Sequence, residues 1–178
     1  ISNLIKDFDN IIIVGGMGNA MLKNTGINIG KSVCDEGYKN LVGEIIEKSE
    51  THNCKIYYPL DVVVSKTLDG NGTIKEITEV NNDEMILDIG PKTIESIKNI
   101  INDTNTVLWN GPAGYFENPN FANGTKKILE IIANKRLKDK IYAVAGGGET
   151  VAVINKFNKL NTFNFVSTAG GAFLEYLE

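Results

Sequence analysis

The sequence predicts an α/β protein: a Rossmann-like, doubly wound, mostly parallel sheet with helices on both faces, forming one domain over residues 1–178. Two observations lead there. Short β-branched and aromatic runs alternate with helix-period stretches along the whole chain, and that alternation yields right-handed βαβ units. Four of the runs also empty directly into glycines that open a helical pattern, at Ile11–Met17, Val107–Glu117, Ile141–Thr150 and Phe163–Phe173. Each such junction puts backbone N–H groups and a helix N-terminus at the carboxyl end of a strand, where open α/β sheets bind anions.

The elements follow in order. Asn10–Val14 reads as a strand and Gly16–Asn24 as a short helix. Asp35 is a candidate N-cap for a helix running to about Ser49, whose inner face is Leu41, Val42, Ile45 and Ile46. Lys55–Tyr58 is the next strand, closed by Pro59. Val62–Val64 and Thr73–Ile77 form a two-stranded excursion around the turn Asp69–Gly70–Asn71–Gly72. Pro91 opens a helix as its first residue, with Ile94, Ile97, Ile100 and Ile101 as the apolar stripe. Thr106–Trp109 is a strand, Phe121–Asn134 a helix, Ile141–Ala145 a strand and Glu149 to about Asn158 a helix. Phe163–Ser167 is the last strand, and a helix begins near Gly170.

Composition removes several classes of function. A net charge of −4 with dispersed lysines gives no basic field for nucleic acid. No apolar run approaches the roughly 20 residues of a membrane span, and the start Ile1–Ser2–Asn3 has no signal-peptide pattern. Cys34 and Cys54 read as reduced cytosolic thiols, and the single histidine, His52, lies in a polar helix end. One histidine and no paired cysteines leave no basis for a zinc site or a Ser-His-Asp triad.

The glycine motifs differ in weight. Gly26–Ser32 misses a Walker loop because Thr25 stands where the first glycine belongs, and no strand precedes it. Gly16–Met21 begins as a dinucleotide fingerprint, but Met21 replaces the third glycine and no ribose-binding acid follows at the right distance. Close helix–strand packing, or a glycine floor beneath a flat base, remain the readings there. Gly146–Gly147–Gly148–Glu149–Thr150 is more specific. Three glycines let backbone approach a polyphosphate, Glu149 offers oxygen to a hydrated magnesium, and Thr150 can cap the helix or meet a phosphate oxygen. Ser167–Gly171 repeats the design one strand later.

Six blocks then come in the order and spacing of one family: Val14–Met17, Pro59–Val63, Leu87–Thr93, Trp109–Pro112, Gly146–Thr150 and Ser167–Ala172. Along essentially its whole length the chain resembles the C-terminal, nucleotide-binding domain of phosphoglycerate kinase. The resemblance implies ADP or ATP with Mg2+ as ligands and phosphoryl transfer between 1,3-bisphosphoglycerate and ADP. By motif match, Gly15 and Gly16 line the adenine slot, with Val33 and Leu87 as apolar walls. Glu117 accepts from the ribose hydroxyls, Asn110 lies near the phosphates and Pro112 shapes that loop. Gly146, Gly147, Gly148 and Thr150 contact phosphates, and Glu149 takes the metal position. Gly147, Gly170 and Gly171 are the implied catalytic glycines, the last two with N–H groups toward the transferring phosphoryl. Such chemistry needs in-line positioning and charge neutralisation rather than a covalent nucleophile.

Four positions depart from the family pattern: Val14 for a glycine, Asn19 where an aromatic often borders the adenine, Glu149 for aspartate and Ala169 for glycine. The family's Gly-Gly-Ala-Lys segment is expected just before Ile1, a 3-phosphoglycerate-binding N-terminal domain before that, and a tail after Glu178. The expectation is therefore one half of a cytoplasmic, monomeric glycolytic kinase, truncated at both ends and inactive alone. Its partners are the nucleotide and the missing N-terminal domain, with no nucleic acid and no membrane. A diverged nucleotide-binding Rossmann-like module without kinase activity is the alternative. A dehydrogenase domain is disfavoured by Met21 and the missing ribose acid.

Overall fold

The computed structural model describes residues 2–34, 37–138 and 140–169. Eight strands and five α-helices appear there in chain order. They are β1 (Asn10–Ile12), α1 (Gly15–Asn24), α2 (Tyr38–His52), β2 (Lys55–Tyr57), β3 (Asp61–Ser65), β4 (Thr73–Glu76), β5 (Met85–Ile89), α3 (Pro91–Asn102), β6 (Thr106–Trp109), α4 (Asn123–Arg136), β7 (Tyr142–Gly146), α5 (Gly148–Lys156) and β8 (Phe165–Ser167). The class is the expected one, mixed α/β with mostly parallel strand pairing and helices packed on the sheets.

Hydrogen bonding divides the described strands into three sheets: β1–β2, β4–β3–β5 and β6–β7–β8. The first and third are parallel throughout. The second is antiparallel, with β3 between β4 and β5. The expected excursion around Asp69–Gly72 is there, and β5 adds a third strand to it. Asp35, the expected cap of α2, lies outside the described residues, and the helix is entered through Gly37. Helix α4 starts at Asn123 rather than Phe121, because Pro119–Phe121 forms a separate 3-10 turn in which Asn118 accepts from the Asn120 N–H. The helix expected near Gly170 also lies outside the described residues.

Three core clusters form, a minor one around Val62, Val64 and Val80 at the antiparallel sheet and a larger and a smaller one against the parallel strands. The larger gathers Ile97 and Ile101 of α3, Leu129 and Ile132 of α4, Ala143 and Ala145 of β7, and Val153 and Ile154 of α5. Trp109 ends β6 inside this cluster and stacks on Phe163 at 6.0 Å between ring centres, so the single tryptophan anchors the strand that delivers the Asn110–Gly111 loop. The smaller core joins Ile5, Ile13, Met21, Val42 and Ile45. At such sites, Leu129 or Ile132 for example, truncation to alanine costs about 2–5 kcal/mol. Lys135 fixes the opposite end of α3: its Nζ donates to the carbonyls of Ile101, Asn102 and Thr104. Burial lowers its pKa, but those last-turn carbonyls favour the cation.

Candidate functional site

The carboxyl ends of β1, β6, β7 and β8 converge. Immediately after β1, Gly15 has φ +63°, and a Cβ there would stand 3.4 Å from the Pro112 carbonyl oxygen. This places the first glycine junction against the loop that follows β6. Past β6, the Gly111 N–H donates to Thr150 Oγ1 at 2.7 Å, tying that loop to α5. At the end of β7, the Gly147 N–H donates to the Ser167 carbonyl at 3.0 Å. Gly15, Pro112, Asn110, Gly147 and Ser167 thus share one edge, and Gly146–Gly148 lies on the same edge as Gly15–Gly16.

Local conformation explains why glycine occupies the β7–α5 turn. Gly147 has φ 96° and ψ 139°, a backbone state that side-chain-bearing residues rarely adopt. A Cβ there would also lie 3.2 Å from Asn110 Oδ1. Around Gly16 and Gly148, by contrast, a Cβ would meet nothing within 4 Å. Backbone at those two positions faces open space.

The helix N-termini are treated unequally. At α3, the buried Asp61 carboxylate accepts from the N–H groups of Lys92 and Thr93 at 2.9 and 2.8 Å. At α4, Asp88 Oδ2 accepts from the Gly124 N–H at 2.7 Å. A carboxylate from the antiparallel sheet therefore closes each of these ends. Neither α1 nor α5 has a side-chain cap from its own N-cap residue, Val14 or Gly147. Both begin beside the Asn110–Pro112 loop. Among the described residues no side chain accepts from the first-turn N–H groups of α1 or α5, and such groups can receive an anion.

The predicted residues take distinct places around it. Gly146 is buried at the end of β7, Gly147 is half-buried, and Gly148 and Glu149 are exposed in the first turn of α5. Asn110 and Glu117 are exposed, and Pro112 is half-buried. Thr150 is 0% exposed and its hydroxyl accepts from Gly111, which braces the two loops against each other. Val33 is 80% exposed, and its carbonyl accepts from Asn19 Nδ2 at 3.0 Å. Leu87 is buried within β5, where its carbonyl accepts from the Tyr115 N–H at 2.7 Å. Gly170 and Gly171 lie outside the described residues.

Glu149 is one carboxylate, and among the described residues no three His, Cys, Asp or Glu side chains gather into a metal cage. That donor set fits Mg2+, which is held by one or two carboxylates together with substrate phosphates and water. Three groups that shape the site were not singled out from the sequence. Asp61 and Asp88 close α3 and α4, and Thr125 Oγ1 accepts from the Ala113 N–H at 2.9 Å. The signal for the aspartates was an acid inside an apolar strand, in Pro59–Leu60–Asp61–Val62 and Ile86–Leu87–Asp88–Ile89.

Asp88 is 1% exposed, and burial pushes its carboxyl up from about 3.8 to about 6, against the opposing pull of the Gly124, Ile89 and Asn123 N–H donors.

Comparison with known proteins agrees with this architecture. The family model described as phosphoglycerate kinase matches residues 1–178. The chain is 41% identical over 180 residues to the phosphoglycerate kinase of Zymomonas mobilis, covering 100% of this chain and 45% of that protein. It is 42% identical over 178 residues to that of Francisella philomiragia, covering 99% and 44%. Among solved structures, the phosphoglycerate kinase of Coxiella burnetii superposes with a TM-score of 0.91 at 38% identity, covering 98% of this chain and 45% of that one. The Pyrococcus horikoshii phosphoglycerate kinase gives 0.78 at 27% identity, covering 98% and 44%. The chain thus spans less than half the length of these relatives. With a family model matched from end to end, it belongs to the phosphoglycerate kinase family.

Proposed function

We propose that these 178 residues are the C-terminal, nucleotide-binding half of a glycolytic phosphoglycerate kinase, carrying the Mg-ADP/ATP site for phosphoryl exchange with 1,3-bisphosphoglycerate. One observation carries the reading. The N-termini of α3 and α4 are sealed by Asp61 and Asp88, while those of α1 and α5 are left without such a carboxylate beside one glycine-lined loop. The two open ends suit the two ends of a nucleotide. Near α1, the exposed backbone of Gly16 and the exposed Val33 side chain, whose carbonyl Asn19 of α1 holds, are the groups assigned to the base. Near α5, the N–H groups of Gly148 and Glu149 offer donors for phosphate oxygens. On this reading Glu117 and Asn110, both exposed after β6, meet the ribose and a phosphate respectively.

Glu149 is the residue that would hold Mg2+, which when bound neutralises phosphate charge. The chain's own contribution is positional. Thr150 fixes the Gly111 loop to the start of α5, and the Gly147 turn aims the α5 N-terminus outward. Gly170 and Gly171 complete the phosphate edge by motif match. The acyl-phosphate partner and the lysines that neutralise the moving phosphoryl belong, on this reading, to the part of the protein outside these residues. Cytoplasmic location and a monomeric state go with the same reading; no helix among the described residues is long and apolar enough to cross a membrane.

A coupled assay of ATP formation from 1,3-bisphosphoglycerate and Mg-ADP tests the proposal. The whole protein turns over and the 178-residue chain alone does not. Turnover by the isolated chain within about tenfold of the whole enzyme would overturn these roles. ADP binding without turnover by the whole protein would favour a nucleotide-binding module that has lost kinase activity, for which Val14, Asn19, Glu149 and Ala169 are the departures to examine.

A further inference from the structure

The segment after β6 is fixed at intervals to the elements around it. The Gly111 N–H donates to Thr150 in the first turn of α5, and the Ala113 N–H to Thr125 of α4. The Tyr115 N–H donates to the Leu87 carbonyl of β5 at 2.7 Å. The next tie is of another kind. Lys156, the last residue of α5, reaches back 40 residues, and its Nζ donates to the Phe116 carbonyl at 2.8 Å. The same ammonium lies 5.7 Å from the centre of the Phe116 ring, a cation–π contact. A lysine in the last turn ordinarily serves the carbonyls of its own helix end. This one serves a neighbouring loop instead.

Phe116 is buried in the larger core, so its ring is held without the lysine. What the lysine adds is the orientation of one peptide unit. The Phe116 carbonyl and the Glu117 N–H belong to the same planar unit, which turns as a whole. On the other side of Glu117, the Asn118 N–H donates to the Tyr115 carbonyl at 3.2 Å, which holds the second unit. Asn118 Nδ2 adds a bond to the Leu68 carbonyl at 2.7 Å. Both peptide planes flanking Glu117 are therefore fixed, the first by Lys156 and the second by backbone. Thr150 and Lys156 stand almost two turns apart on α5, about 9 Å along its axis. One helix thus sets both the start of the loop and the peptide that carries Glu117.

Building on the nucleotide site proposed above, we infer that Lys156 is a positioning residue for ribose recognition. By holding the Phe116 carbonyl it sets the direction from which the Glu117 carboxylate meets the ribose hydroxyls, in register with phosphates bound at the first turn of α5. Lys156 itself makes no contact with the nucleotide. Helix α5 has two tasks on this assignment, phosphate at its first turn and ribose through its last. Without the ammonium, the Phe116–Glu117 unit can rotate while the buried ring stays in place, and a nucleotide must then order it on binding. The loss falls on recognition of the hydroxyls and not on base or phosphate.

Titration of the whole protein with ADP and with a dideoxy-ADP that lacks both ribose hydroxyls tests this role. In the parent, ADP binds at least about tenfold more tightly, because the dideoxy compound gives the carboxylate no hydroxyl to accept from. Lys156→Met keeps the aliphatic chain beside Phe116 and removes the donor. It weakens ADP about fivefold and the dideoxy compound by less than about twofold, and Lys156→Arg restores the parent's ratio. Combined with Glu117→Ala, which removes the acceptor, Lys156→Met adds nothing further. Equal weakening of both nucleotides by Lys156→Met would overturn the inference, as the mark of a tie that serves the whole loop. So would a loss that adds in full to that of Glu117→Ala. A parent that does not distinguish the two nucleotides would overturn the inference and the ribose assignment of Glu117 together. A ratio reduced by Glu117→Ala but not by Lys156→Met would overturn the inference alone.

Discussion

Replacing Thr150 by valine removes one oxygen from a fully buried position while keeping the branched shape. Its hydroxyl is the acceptor for the Gly111 N–H at 2.7 Å, the bond joining the β6 loop to the first turn of α5. An N–H left without an acceptor costs about 1–3 kcal/mol when fully buried. Gly111 is only half-buried, so water relieves part of this, and the expected loss of stability is about 1 kcal/mol. In a domain of this size that lowers the Tm by about 2–4 °C. If the loop must stay docked for phosphate to bind at α5, the same energy weakens ADP by about fivefold. Thr150→Ser is the control. It loses a buried methyl, also worth about 1 kcal/mol, but retains the acceptor. Urea denaturation should therefore give similar stabilities for the two variants, while ADP titration separates them, with the serine variant within about twofold of the parent. Equal ADP affinities for valine and serine would refute the claim that Thr150 positions the phosphate loop.

Gly147→Ala forces a side chain into φ 96° and toward Asn110 Oδ1, at a cost of about 1–3 kcal/mol, with the larger effect on nucleotide binding; an unchanged ADP affinity and Tm would show that the turn tolerates a Cβ. Asp88 makes a pH prediction. Its folded value of about 6 lies above the ordinary one, so the folded chain holds the proton more tightly, and stability falls as pH rises from about 4 to about 6. At about 1.4 kcal/mol per pH unit the contribution approaches about 3 kcal/mol. Asp88→Asn should lose that slope in urea denaturation at pH 4 to 7, so that the difference between parent and variant carries it, and a variant that keeps the parent's slope would assign it to other groups. Glu117→Ala in the whole protein should weaken ADP by about 1.5–3 kcal/mol if the carboxylate meets the ribose hydroxyls, whereas an unchanged dissociation constant would remove Glu117 from the site.

The strand–glycine–helix grammar was legible because each junction is local: a β-branched run, a glycine where no side chain fits, then helical spacing. Val107–Gly111 and Val144–Gly148 carry that information within a few residues. Antiparallel β5 was harder to read. Met85–Ile89 becomes a strand by pairing with β3 across a long separation, and its Asp88 interrupts an otherwise apolar run. The closing of α3 and α4 was invisible for the same reason, since Asp61 lies 31 residues before Lys92 and Asp88 lies 36 before Gly124. Nothing local reveals that the Thr150 oxygen also meets Gly111, 39 residues earlier. The sequence predicts one parallel sheet with a two-stranded excursion, and the described strands form three sheets. The two parallel sheets part at β1 and β6, whose facing edges pair with no other strand among the described residues.

The most direct test of the nucleotide site is the backbone amide spectrum of the isotope-labelled chain during titration with ADP, with and without Mg2+. The account predicts shifts at Gly15, Gly16, Gly111, Gly148 and Glu149, the last two enlarged by Mg2+, with the capped first turns of α3 and α4 unmoved. Shifts at Lys92 and Gly124 with none at Gly148 would contradict it, as would a folded chain whose spectrum does not respond to ADP.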